Sequence, residues 1–183
     1  MSRPNSTVAV LVGADSSAMV NRLDSLANVR GITSGDSDES PHRRAAQSHA
    51  AYVVHDADPL ADVAAAWTGF FDGKGEPGTL EVAVEAALAA LRRQDVSLPD
   101  YYIVLDPDSL ADTRKHWWFG VLAGVSPARV VPTAATTTAV SGALSTLSSG
   151  RWWPDPPDEW LRGLRNVVPD RAGLPSSRAR SLS

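Results

Sequence analysis

Short apolar runs alternate along this chain with stretches in which apolar residues recur every three or four positions. Residues 7–13 (T-V-A-V-L-V-G) form a continuous apolar run closed by glycine and predict a buried first strand. Met19, Leu23 and Leu26 then fall at helical spacing, with Asp15, Ser16 or Ser17 as cap and Asn28 as stop. Residues 29–33 predict a short second strand, followed by a polar acidic loop over 34–41 and a short helix over 43–48. Residues 51–55 predict a third strand. Behind the cap Asp58 and Pro59 in the first turn, Leu60, Val63, Ala64, Trp67 and Phe71 make one helical stripe. A Gly-rich loop over 72–78 leads to a second stripe, Leu80, Val84, Leu88 and Leu91. The fourth strand is predicted over 101–105, a helix behind Asp108, a fifth strand over 129–131 and a helix over 136–147. Pro156 and Pro157 open a last short helix with Trp160, Leu161 and Leu164.

Strands that alternate with helices call for a parallel sheet covered on both faces. Right-handed crossovers then make a three-layer α/β/α sandwich with a mainly parallel five-stranded sheet, Rossmann-like or flavodoxin-like. Strand orders 2-1-3-4-5 and 3-2-1-4-5 both satisfy the pattern. Residues 1–165 read as one domain, of which 151–165 are an aromatic, proline-rich extension, and 166–183 read as a disordered tail.

One segment nearly occurs twice. Residues 52–62 read Y-V-V-H-D-A-D-P-L-A-D and residues 102–112 read Y-I-V-L-D-P-D-S-L-A-D, identical at seven of eleven positions. Trp67 and Trp117 keep the same spacing beyond them. Two equivalent strand-to-helix corners therefore present Asp-x-Asp at the carboxyl end of the sheet, where ligands bind in such folds.

Composition narrows the chemistry by exclusion. The chain has no cysteine, so disulfides, thiolate nucleophiles and cysteine-ligated zinc are absent. The formal net charge is −4, which argues against a nucleic-acid partner. The expected location is cytoplasmic, with neither a signal peptide nor a membrane span.

The carboxyl rim supplies the candidate site. Asp56, Asp106 and Asp15 would form a magnesium site, since that ion takes one or two carboxylates plus water and phosphate. Ser16, Ser17, His55, Lys74 and Thr133 would join Asp15 in holding a ligand, with Lys74 on a loop that leads into a helix N-terminus. The competing reading is structural: Asp15, Asp58 and Asp108 stand where helix caps belong, and Asp56 and Asp106 could close turns onto Asp58 and Asp108. Six tryptophans are a second signal; Trp117, Trp118, Trp152, Trp153 and Trp160 form the candidate interface. Trp117 and Trp118 are helix neighbours, so both are not expected to point inward.

Asp15-Ser16-Ser17-Ala18-Met19 behind an apolar strand resembles the opening of response-regulator receiver domains, with Asp56 where the phosphoacceptor would stand. The acidic pair of that family is reduced to Asp15, and Val131-Pro132-Thr133 stands where its lysine is expected. The resemblance thus implies at best a degenerate receiver-like module. Two functions follow from the residues: a non-catalytic binding or regulatory module that forms a homodimer or docks a protein partner through tryptophan-rich surfaces, or a magnesium-dependent enzyme acting on a phosphorylated small molecule or nucleotide.

Overall fold

A computed structural model describes residues 6–147 and 152–169. Five parallel strands form one sheet: β1 (Thr7–Val12), β2 (Val29–Ile32), β3 (Tyr52–His55), β4 (Tyr101–Leu105) and β5 (Val130–Thr133). Helices cover both faces, giving the expected three-layer α/β sandwich. α1 (Ser16–Leu23) and α7 (Thr137–Ser145) lie on one side, packed on Ala9, Leu11, Ile103 and Leu105. On the other, α3 (Ala61–Phe71), α4 (Thr79–Arg92) and the helix after β4 bury Val10, Val12, Tyr102 and Val104. α2 (Pro41–Ala46) sets Ala45 against Ile32 and Val53.

The strand order is 2-3-1-4-5, neither of the two orders expected. It exchanges β1 and β3 relative to the receiver order 2-1-3-4-5, so the receiver resemblance does not extend to topology. The physical reasons lie in the strands and their connections. β2 carries exposed Arg30 and β5 carries Pro132, which lacks a backbone donor; both suit edges. The connection from β3 to β4 holds two helices, α3 and α4, and passes over β1, which lies between those strands.

The helix after β4 is built in pieces: α5 (Asp112–His116), a π-helical stretch Trp117–Leu122 and α6 (Ala123–Val125). Trp117 and Trp118 are both buried, at 0% and 2% exposure, which corrects the expectation that one must face outward. The helix is wedged between two surfaces. Trp117 meets Trp67 of α3 at 5.8 Å between ring centroids, and Trp118 meets Tyr102 of β4 at 5.2 Å. Gly120 leaves room within this stretch for the His116 ring, which a Cβ there would force aside.

The C-terminal extension packs back onto the domain. Leu161 of α8 (Asp158–Arg162) and Leu164 join the main core. The indole of Trp67 donates to the Leu164 carbonyl at 3.1 Å, and that of Trp153 to the Pro99 carbonyl at 2.7 Å. Arg162 makes a two-pronged contact with Glu85 at 2.6 and 3.0 Å, and Arg92 pairs with Asp158. Of the expected disordered tail, Asn166 closes a short turn with Leu164 and Pro169 is buried; the part from Asp170 onward lies outside the described residues.

Candidate functional site

The carboxyl ends of the strands gather the predicted rim residues, and the structure shows what each side chain meets. Gly13 leaves β1 with φ 118°, and a Cβ there would lie 2.8 Å from the Leu105 carbonyl oxygen. β1 and β4 therefore close on each other at the rim. Asp15 follows in the left-handed region, φ 57°, as the N-cap residue of α1, but its side chain makes no cap bond.

Asp56 ties three strand ends together. Its carboxylate accepts from the Ser17 hydroxyl at 2.5 Å, the Ser34 hydroxyl at 2.6 Å and the Ser34 amide at 2.9 Å. Ser17 of α1 follows β1, Ser34 follows β2 and Asp56 follows β3, so one side chain ties together the segments that leave three adjacent strands. Partial burial works to raise the pKa of Asp56, but these hydrogen bonds outweigh it and hold the carboxyl below the ordinary aspartate value. The expectation that Asp56 bonds onto Asp58 gives way to these longer-range partners.

Asp58 is mostly buried. Its Oδ1 accepts from the Leu60 amide at 2.8 Å and from the Tyr102 hydroxyl at 3.0 Å. Its Oδ2 is shielded from solvent and has no hydrogen-bond partner. Burial raises this carboxyl to about 6, against the pull of the two donors and of Arg114. Asp58 thus closes a turn onto Leu60 and is not the cap of α3; the residue at that position is Leu60 itself.

The second corner is arranged otherwise. Asp106 is left-handed, φ 41°, and its carboxylate accepts from the Ala135 amide at 2.9 Å across the end of β5. Pro107–Ser109 form a 3-10 turn, and α5 starts only after Ala111, so Asp108 caps no helix. Asp108 is fully exposed and faces Lys115 at 3.1 Å.

The proposed magnesium ligands are not brought together. β1 separates β3 from β4. Asp56 and Asp106 are therefore about two strand spacings apart, roughly 9.5 Å. Among the described residues no group of three His, Asp or Glu side chains is placed to hold a metal ion. Lys74 stands on the α3–α4 loop near Asp72, 3.8 Å away, with most of its side chain in solvent. Thr133 ends β5 with its hydroxyl buried and unpartnered. His55 is buried beside His42, their rings 5.0 Å apart and edge to face, and neither Nδ1 has a partner. Burial, and then the neighbouring His42, push His55 down to about 3, so its ring is neutral at ordinary pH; burial lowers His42 as well. A cavity of about 240 Å³ lies between α4 and α8 over Leu80, Val84 and Leu161, away from the rim.

The tryptophan surface shrinks likewise. Trp117, Trp118 and Trp153 are buried core, and Trp160 is half-buried with its ring stacked beside Trp153 at 6.4 Å. Trp152 stays 43% exposed, and its ring lies over the Arg129 guanidinium at 3.6 Å. Arg129, whose other side meets the Tyr101 ring at 4.6 Å, and Tyr102, the partner of Asp58, escaped sequence reasoning. The only sequence signal for Arg129 is a lone arginine opening an apolar strand; for Tyr102 there is none, since it belongs to the other copy of the near-repeat. No protein-family model matches this chain, no curated protein matches it, and no solved structure matches it at a significant level.

Proposed function

We propose that this protein is a non-catalytic binding module that meets a second copy of itself over the outer surface built by its C-terminal extension. The supporting observation is the setting of Trp152: 43% exposed, yet held flat on Arg129 at 3.6 Å. A large aromatic ring that is already ordered loses little freedom on binding, and such residues dominate interface energies. Val82 on α4 and Val168 behind α8 are exposed apolar residues as well, at 71% and 66%. α4, α8 and the turn after α8 interleave Glu81, Glu85 and Asp158 with Arg92, Arg162 and Arg165. A surface carrying both signs can face its own copy across a two-fold axis without net repulsion. The rim offers less: Asp56 and Asp106 already accept from protein donors, so a ligand there competes with the loops that these carboxylates hold.

Sedimentation velocity over a wide concentration range tests the reading. The wild-type chain should show a concentration-dependent dimer that Trp152→Ala weakens. A strict monomer at every concentration would remove the proposal.

A further inference from the structure

The carboxyl group of Asp58 is buried where two copies of the near-repeat meet. It comes from the corner between β3 and α3, and the hydroxyl it accepts from, Tyr102, comes from β4 on the far side of β1. The charged and titratable groups that face it are Tyr102 from β4, Asp62 from α3 and Arg114 from α5. Arg114 acts only from a distance, its guanidinium being occupied over the Trp118 ring at 5.8 Å. Asp58 therefore holds one oxygen with two donors and another, Oδ2, with none.

We propose that Asp58 and Tyr102 form a proton-operated latch between the β3–α3 corner and β4, closed when Asp58 is protonated and easier to open when it is ionised. The proton leaves the carboxyl group for solvent and returns from it; no other bond changes. An ionised carboxylate with one oxygen shielded from both water and donors is costly to keep in place. Opening the corner hydrates that oxygen, so ionisation favours the open form. The midpoint of about 6 places the change close to neutral pH. An opening that restores the ordinary value of 3.8 becomes about tenfold more frequent for each pH unit between 3.8 and 6, up to about 100-fold in all, and levels off above the midpoint. The amides that report the latch are those of Leu60, bonded to Asp58 Oδ1, and of Ala61, bonded to the Asp58 carbonyl.

Native-state hydrogen exchange of the full chain across pH 5 to 8, corrected for the intrinsic exchange rate, measures it. Protection of Leu60 and Ala61 should fall about tenfold between pH 5 and 8 and level off above the midpoint. Asp58→Asn should remove that fall, and Tyr102→Phe, by deleting a donor to the carboxylate, should move it to higher pH. Protection that is level with pH in the wild type, or that falls equally in Asp58→Asn, overturns the latch. If Asp58→Asn does not fold, a midpoint unmoved in Tyr102→Phe overturns it instead.

Discussion

The corners after β3 and β4 share seven of eleven residues, yet their carboxylates lead different lives. In the first, Asp56 ties three strand ends together and Asp58 packs, mostly buried, against Tyr102. In the second, Asp106 holds one backbone amide and Asp108 stands in solvent beside Lys115. Beyond the strands, which differ at Val53 against Ile103 and His55 against Leu105, the turns differ only in Ala57 and Pro59 against Pro107 and Ser109. Pro107 opens a 3-10 turn that carries Asp108 outward. The larger difference is position in the sheet. β3 is flanked by β1 and β2, which lead into Ser17 and Ser34, whereas β4 lies beside β5, whose loop offers Asp106 a backbone amide. A local pattern thus sets a corner's outline, and the neighbouring strands decide what its side chains do.

The largest expected effect concerns the tryptophans that follow each corner. Trp67 and Trp117 are both fully buried, so either Trp→Ala change should cost about 3–5 kcal/mol in chemical denaturation. Phenylalanine separates them. The Trp67 indole serves the Leu164 carbonyl, while the Trp117 indole nitrogen is buried without a partner. Trp67→Phe should therefore cost about 1–2 kcal/mol more than Trp117→Phe. Equal costs would show that the two rings are held alike.

Next come the slopes of stability against pH. Asp58 is raised from 3.8 to about 6, so its contribution is complete below pH 3.8 and is lost as pH rises through 6. His55 is lowered from 6.5 to about 3, so its contribution is complete above pH 6.5 and is lost as pH falls toward 3. The two oppose each other between pH 4 and 6, each on the order of 3 kcal/mol at most. Asp58→Asn should make acidification more destabilising than in the wild type, and His55→Asn should make it less so. Urea titrations at several pH values check both, and unchanged slopes in either variant would contradict the burial of that group.

The rim aspartates should differ more modestly. Asp56→Ala loses three hydrogen bonds and should cost about 2 kcal/mol; Asp106→Ala loses one and should cost about 1 kcal/mol. A larger cost at Asp106 would reverse the comparison. Smallest of all, Asp108→Asn should stay within about 0.5 kcal/mol, as exposed ion pairs contribute little.

Much of this fold was legible because buried parallel strands read as apolar runs and covering helices as stripes. Tyr101–Leu105 and the stripe of α4 stand where the pattern put them. The strand order was not legible, since it depends on which strands find each other across long connections. The two-helix link from β3 to β4, Arg30 in β2 and the proline in β5 were its traces. The site was legible as a place and not as a set of contacts. Asp56 meets Ser17 and Ser34 across 39 and 22 residues of chain, and no spacing rule announces such a pairing. Paired tryptophans read as an exposed patch because an ordinary helix has one buried stripe, whereas the wedged π-helical stretch has two covered sides.

The most direct measurement is a carboxyl-carbon NMR titration of Asp56 and Asp58 in the folded chain. Two residues apart, they should move in opposite directions: Asp56 below the ordinary aspartate value of 3.8, and Asp58 up to about 6. That result would establish one carboxylate as a loop tie and the other as a buried, protonatable partner of Tyr102. Both titrating together near the ordinary value would contradict the account at its centre.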